Sequence, residues 1–233
     1  GQRQALSDTL KLINDKKYDE AVQKARAVLK ENPKSASAHE ILGIALMEKG
    51  DLDAALEEFR KVVELDPQAA AAWFHIGSIL RQQGKHKEAA ESFAKAVELK
   101  PEEFKYRFEL GRVLILLGEE EEGIQQWERA AGAAGESAAF ILERIADHYR
   151  KKGNADKAID ALTRAMKASE DPEEAADSLV KLQVEAGRWE DAAATYRYLL
   201  ERDPANHRLH LKIAACYEKQ RKWKEALDEY DAF

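Results

Sequence analysis

Residues 70–103 read AAAWFHIGSILRQQGKHKEAAESFAKAVELKPEE, and this stretch decides the fold. The 34 residues before it, 36–69, read ASAHEILGIALMEKGDLDAALEEFRKVVELDPQA and carry the same residue types at the same places. Gly43 and Gly77 occupy matching positions, and a proline lies close to the end of each segment. A recurrence at this interval indicates an array of small units, because each unit can bury its apolar face only against a neighbour.

The 34-residue frame covers the whole chain once a single extra residue is allowed near Ala138. Pro33 and Pro204 close further segments at the matching place. In the first segment Asp8 and Thr9 replace the Leu-Gly pair of later segments, so its first helix is expected to be shifted or frayed. The predicted repeats are 2–35, 36–69, 70–103, 104–137, 139–172, 173–206 and an incomplete 207–233.

The pattern within each repeat predicts two short helices. Small residues recur in the first half, as at Gly43 and Gly77, and in the second half, as at Ala55 and Ala89. They allow two helices to approach closely while bulky neighbours interlock. A short polar turn such as Lys49-Gly50-Asp51 separates the halves. Helices of about 12–14 residues are marginal alone, so each pair is expected to stack on its neighbours.

Composition favours the same all-helical interpretation. The 233 residues include 40 alanines but only 12 glycines and 5 prolines, which disfavours a sheet-rich fold. No stretch approaches the roughly 18 apolar residues that a membrane helix needs, so membrane insertion is not expected. The net charge is −7, and its acidic excess lies entirely in residues 118–233. This balance argues against nucleic acid as the main ligand, because binding to phosphates requires a basic surface.

The repeats resemble the tetratricopeptide repeat. That helix-turn-helix unit has an aromatic residue and a Leu-Gly pair in its first helix, small residues around an aromatic in its second, and a closing proline. Residues 70–103 match the pattern most completely, at Trp73, Ile76, Gly77, Leu80, Gly84, Ala89, Phe93, Ala96 and Pro101. The resemblance implies an all-α, right-handed α-solenoid of about seven repeats that forms a single domain over residues 1–233. It also implies that the first helices line a concave groove.

The resemblance places the groove on first-helix positions away from the Leu-Gly stripe. The first part of this surface is apolar and aromatic, and the later part is charged, which is typical of a peptide or protein site. The alternative interpretation is that neighbouring helices cover some of these side chains. The predicted groove residues are Ile41, Ile44, Met47, Phe74, His75, Arg81, Phe108, Arg112, Ile115, Arg144 and Arg150.

One known ligand class of the family does not fit this chain. Chaperone-binding members hold a terminal carboxylate with lysine and asparagine at fixed positions of three successive repeats. The corresponding positions here carry Leu6, Leu10, Ile41, Ala71 and His75. That carboxylate clamp is therefore absent.

The sequence carries no recognisable catalytic or metal-binding motif. It lacks a glycine-rich phosphate loop, a Gly-x-Ser-x-Gly elbow and a His-Glu-x-x-His pair, so we do not expect an enzyme. His207 and His210 lie three residues apart near Asp203, but two further ligands are lacking, and no metal or cofactor is predicted. The single cysteine, Cys216, suits a reducing compartment, which favours the cytoplasm. A periplasmic or organellar location stays open if a targeting segment has been removed.

These patterns predict a protein-protein interaction scaffold or adaptor that binds a peptide or protein segment in its groove. An alternative is the repeat arm of a larger enzyme or of a secretion or assembly machine. A third interpretation is a homo-oligomer formed through the C-terminal repeat. There apolar residues recur at helical spacing, and part of the set is expected to be exposed unless the native chain continues or another copy covers it: Ile213, Tyr217, Leu227, Tyr230 and Phe233.

The four tryptophans fall on framework positions of the repeats. Framework positions pack one helix against another, so the sequence predicts that all four lie in the core rather than in a ligand site. They are Trp73, Trp127, Trp189 and Trp223.

Overall fold

Every predicted repeat contains two helices. The computed structural model describes residues 2–233, which form fourteen α-helices, one 3-10 turn and no strand. Odd-numbered helices come first in each repeat and even-numbered helices second. The helices are α1 (Gln2–Asn14), α2 (Tyr18–Glu31), α3 (Ala36–Lys49), α4 (Leu52–Leu65), α5 (Ala70–Gln82), α6 (His86–Leu99), α7 (Phe104–Leu116), α8 (Glu120–Ala133), α9 (Ala138–Lys151), α10 (Ala155–Ala168), α11 (Glu173–Glu185), α12 (Trp189–Arg202), α13 (Arg208–Lys219) and α14 (Trp223–Ala232).

The helices group into two compact units. The first unit ends at Gln126 and the second is Trp127–Phe233, so the division falls inside α8. Within each unit consecutive helices pack on one another, as α5 packs on α6 and α9 on α10. This stacking of helical hairpins in chain order confirms the all-α solenoid class. The assignment of residues 1–233 to a single domain stays a prediction, and residue 1 lies outside the described residues.

The turn between the two helices of each repeat contains one residue with positive φ. Glycine serves best there because it has no Cβ to clash in the left-handed region. Five repeats use it, with φ of 72–90°, at Gly50, Gly84, Gly118, Gly153 and Gly187. The first and last repeats instead place Lys16 (φ 59°) and Arg221 (φ 58°) in this conformation. The terminal repeats therefore hold their turns at some cost in backbone energy.

A glycine in the first helix faces a phenylalanine in the second helix of the same repeat. Phe59 and Phe93 are both fully buried. A Cβ added at Gly43 would lie 3.0 Å from the ring of Phe59, and one added at Gly77 would lie 2.8 Å from the ring of Phe93. Real Cβ contacts are almost never shorter than 3.0 Å. The missing side chain of one helix thus makes the space for the ring of the other.

In the first repeat the larger residue of the pair lies on the first helix and the smaller one on the second. Thr9 stands in the glycine position and is fully buried, and its hydroxyl donates a hydrogen bond to the carbonyl of Ala5 (2.7 Å). The matching position on α2 holds the small Ala25, which is also fully buried, whereas the next two repeats have phenylalanine there. The expectation of a shifted or frayed first helix was wrong, because the larger Thr9 is matched by a smaller partner.

The fourth residue of a repeat binds the turn that closes the preceding repeat. A closing carbonyl beyond the helix end has no partner in the helix, so a side-chain donor satisfies it. Three chemically different side chains do so, namely His39 with Pro33 (2.9 Å), Trp73 with Pro67 (3.2 Å) and Arg107 with Pro101 (2.9 Å). Hydrogen bonding therefore joins successive repeats in the first unit in addition to packing.

The extra residue near Ala138 is accommodated by a 3-10 turn over Gly135–Ser137. Gly135 has a φ of 53°, and the Ser137 amide donates to the carbonyl of Ala134 (3.0 Å). This turn takes the place of the proline closure, and α9 begins directly after it.

Three of the four tryptophans are covered and one is not. Trp127 is buried, and Trp189 packs against the core of the second unit, where the ammonium of Lys219 lies 5.9 Å from its ring. Trp223 is 63% exposed, so its assignment to the core was wrong. Trp189 occupies the same framework position in the preceding repeat, where residues of α13 cover it. Trp223 lies on α14, the last helix within residues 2–233, so no later helix described here covers it.

Candidate functional site

Four of the predicted groove residues lie half-buried on α3 and α7 of the first unit. Ile44 and Met47 on α3 pack against the core of this unit while keeping part of their surface open. Phe108 and Ile115 on α7 are also half-buried, and the neighbouring Leu116 is 58% exposed. Together with Phe74 on α5, the four residues Ile44, Met47, Phe108 and Ile115 form what we call the α3–α5–α7 surface.

Phe74 connects the α5 part of this surface to α7. Its ring stacks on Tyr106 of α7 with 4.9 Å between centroids, and lies 5.6 Å from the ring of Phe93 beneath it. The neighbouring His75 stacks on Phe59 at 4.7 Å. Burial lowers the pKa of His75, so the stacked ring stays neutral to a lower pH than a free histidine. Phe74 is therefore half-buried between α5 and α7, whereas His75 is turned toward the core.

Ile41 also contributes more to the core than to an open surface. Only 7% of its surface is accessible. A ligand can reach little of this side chain, although Ile44 and Met47 on the same helix remain partly open.

The predicted arginines of the first unit are paired with one carboxylate. The Arg112 guanidinium donates a hydrogen bond to Glu109 (3.0 Å). Arg81 Nε lies 3.3 Å from the other Glu109 oxygen, but the angle is outside hydrogen-bond geometry and both atoms are buried without a hydrogen-bond partner. Two cations thus share one anion, which leaves an excess positive charge at the α5–α7 end. The Arg112 side chain is 40% exposed and remains accessible to an acidic group.

Glu40 on α3 occupies a groove-facing position in the sequence pattern but was not among the predicted binding residues. Its carboxylate is half-buried, and desolvation, then the nearby charge of Asp66, raises its pKa. Glu40 also lies near enough to Tyr106 for its charge to raise the pKa of that phenol, after the larger effect of burial and that of Glu103. Its position, directly before Ile41 on the predicted groove helix, was the signal in the sequence.

The predicted groove residues of the second unit line a small cavity between α9 and α11. Arg144 and Arg150 approach Asp147 at 3.9 Å and 2.9 Å, and the Arg144 guanidinium lies 5.0 Å from the ring of Phe140. Burial and the neighbouring Glu174 raise the pKa of Glu143. Acidic and basic groups alternate here, over a floor that includes Ala146, Leu162 and Leu182.

Within residues 2–233, no group of three or more histidine, cysteine, aspartate or glutamate side chains is arranged to hold a metal ion. None of the helices in this part of the chain combines the length and the apolar character required to cross a membrane.

Comparison with known proteins identifies the repeats along nearly the whole chain. One family model, described as tetratricopeptide repeat, matches residues 12–70, 45–103, 76–139 and 178–233, and a second model of the same description matches residues 141–176. No curated protein matches the chain.

Several solved structures share the fold. PilF of Pseudomonas aeruginosa is 19% identical with a TM-score of 0.67, and the match covers 95% of this chain and 97% of PilF. MamA of Desulfovibrio magneticus RS-1 is 19% identical with a TM-score of 0.65, covering 72% of this chain and 94% of that one. Human IFIT1, solved as a dimer with PPP-AAAA, is 19% identical with a TM-score of 0.64, covering 100% and 54%. At these identities the likeness extends to the fold alone.

Proposed function

Because the chain belongs to the tetratricopeptide-repeat family, we propose that it is a non-catalytic scaffold that binds a peptide or protein segment on the α3–α5–α7 surface. One observation carries the proposal: half-buried apolar side chains of three successive first helices adjoin an accessible arginine. Aromatic and arginine side chains in such surroundings are the usual anchors of protein interfaces. Phe74 is the central anchor, since it adjoins α7 through Tyr106.

The test uses peptides selected from a phage-displayed random library against the full chain. We expect Phe74→Ala and Phe108→Ala to weaken binding of these peptides at least about tenfold, because truncating an anchor removes roughly 2 kcal/mol of interaction. Fluorescence anisotropy with labelled peptides gives the affinities, and circular dichroism checks that the helix content is retained.

Leu65→Ala is the matched control for these truncations. Leu65 is 42% exposed in the same unit, but it lies on the second helix α4. Arg112→Gln adds a variant that leaves the core packing intact. Unchanged affinity in both phenylalanine variants, or an equal loss in Leu65→Ala, would remove the α3–α5–α7 surface as the site.

A specific observation favours a second role, self-association through α14. Trp223, Leu227 and Tyr230 lie at i, i+4 and i+7 of this helix and are 63%, 58% and 42% exposed, and Phe233 beyond them is 58% exposed. Residues at this spacing share one helix face. An exposed apolar face of this kind is typical of an interaction surface, and a second copy of the chain would cover it.

Sedimentation velocity over a range of concentrations tests this second role. We expect the mass to rise with concentration, and Leu227→Glu to restore the monomer because a charge cannot be buried unpaired in an apolar contact. Glu225→Gln, a change on the same helix outside the apolar face, should leave the association unchanged. A monomeric mass at every concentration would show that α14 does not mediate self-association.

A further inference from the structure

Glu40 is an unpaired carboxylate inside the proposed peptide surface. No residue within 2–233 forms a hydrogen bond or an ion pair with it. Other charged groups of this surface have an oppositely charged partner, since Arg81 and Arg112 both approach Glu109. Burial without a partner is unfavourable for the charged form, which is consistent with the raised pKa of Glu40.

The surroundings of Glu40 suit the cation of a lysine or arginine side chain better than a metal ion. Ile44 and Met47 follow Glu40 at i+4 and i+7 of α3, so the three side chains share one helix face, and both apolar side chains keep part of their surface open. Phe74 occupies in the next repeat the position that Glu40 occupies in its own, and it is also half-buried. A lysine or arginine side chain packs its aliphatic stem on apolar surface and its cation against a carboxylate or an aromatic ring. A single carboxylate offers too few ligands for a metal ion.

We propose that the α3–α5–α7 surface takes a peptide with a basic side chain, whose cation binds Glu40 while its stem lies against Ile44 and Met47. This inference rests on the proposed peptide-binding function and specifies the chemistry of the ligand. Charge complementarity carries it: the surface has an uncompensated carboxylate on α3 and an excess guanidinium charge on α7. The bound cation supplies the ion pair that Glu40 lacks in the free protein. The peptide is therefore basic where it crosses α3.

Glu143 in the second unit provides an internal comparison. It occupies the same position of its repeat as Glu40, and its pKa is also raised by burial. Its surroundings differ, because Arg144 and Arg150 line the same cavity and already place positive charge near its carboxylate. Glu143→Gln is thus a control that removes an equivalent carboxylate outside the α3–α5–α7 surface.

The experiment repeats the random-peptide selection with the wild-type chain and with Glu40→Gln and Glu143→Gln. We expect lysine and arginine to be enriched over the unselected library with the wild type and with Glu143→Gln, and the enrichment to disappear with Glu40→Gln. For one selected peptide, replacement of the key arginine by the neutral isostere citrulline should weaken binding to the wild type about tenfold and leave binding to Glu40→Gln almost unchanged.

The outcomes separate this inference from the function on which it rests. If peptides depend on Phe74 but show no basic enrichment, or if Glu40→Gln selects basic peptides as the wild type does, the role of Glu40 is overturned and the peptide surface stands. A loss of enrichment in Glu143→Gln instead would place the basic side chain in the second unit and overturn the proposal. If the wild type selects no peptide, or if the selected peptides bind equally to Phe74→Ala, both proposals fail.

Discussion

Truncation of Phe93 to alanine is expected to lower the free energy of unfolding of the first unit by about 3–5 kcal/mol. The ring is fully buried on α6 and lies against Gly77 of α5. Because glycine has no side chain that could move into the vacated space, the cavity collapses poorly and the upper part of this range applies. Urea unfolding followed by circular dichroism, with hydrogen exchange in α5 and α6, measures the loss.

Lys95→Ala is the control for the Phe93 truncation. Lys95 is exposed on the same helix and pairs with Glu98 (2.7 Å), an ion pair that contributes little. Its replacement should change the free energy of unfolding by less than about 0.5 kcal/mol. A Phe93→Ala effect as small as that of Lys95→Ala would mean that the pairing with Gly77 does not hold the hairpin together.

The second large effect is expected at Gly123, where α8 lies close to the backbone of α7. A Cβ at Gly123 would lie 2.8 Å from the backbone oxygen of Gly111 and 2.7 Å from Cγ1 of Ile115. A side chain can rotate away, but a carbonyl held in a helix cannot. Gly123→Val should therefore separate the two helices and lower the free energy of unfolding by roughly 2–3 kcal/mol, as overpacking does in other cores.

The same helix offers a matched control for Gly123→Val. A Cβ at Gly132 would meet nothing within 4 Å, and Gly132 is exposed. Gly132→Val should leave the free energy of unfolding within about 0.5 kcal/mol of the wild type. An equal loss at both positions would show that the contact with Gly111 is not its cause.

The 34-residue period predicted the fold because its small residues have a steric role that a sequence can display. Gly43 and Gly77 recur in register, and the aromatic partners Phe59 and Phe93 recur sixteen residues later. The compensating exchange of Thr9 and Ala25 could not be read in the same way, since it departs from the pattern at both positions. Deviations paired across a hairpin become visible only when the two helices are placed together.

Hydrogen bonds between helices were less apparent in the sequence, although a signal existed. His39 contacts Glu58 at 2.5 Å and His210 contacts Glu229 at 2.7 Å, and both pairs are nineteen residues apart. Arg107 reaches Gln126 at the same separation (3.2 Å). A search for polar pairs at this spacing would have assigned the histidines a bonding role in addition to packing.

The candidate site was only partly predictable, because the exposure and pairing of its residues depend on side chains of neighbouring helices. The half-open positions of Ile44 and Met47 follow from the helix face on which they lie. The stacking of His75 on Phe59 and the sharing of Glu109 by two arginines depend on contacts between helices. Residue type alone could not distinguish an arginine that awaits a ligand from one that is already paired.

The complementary fit of glycine and phenylalanine determines which pieces of this protein can be exchanged. Gly43 and Phe59 belong to the two helices of one hairpin, as do Gly77 and Phe93. A recombination point placed between hairpins preserves each fitted pair, whereas one placed within a hairpin could bring Phe59 against Thr9. The unit of duplication and of modular redesign is therefore the intact hairpin and not the single helix.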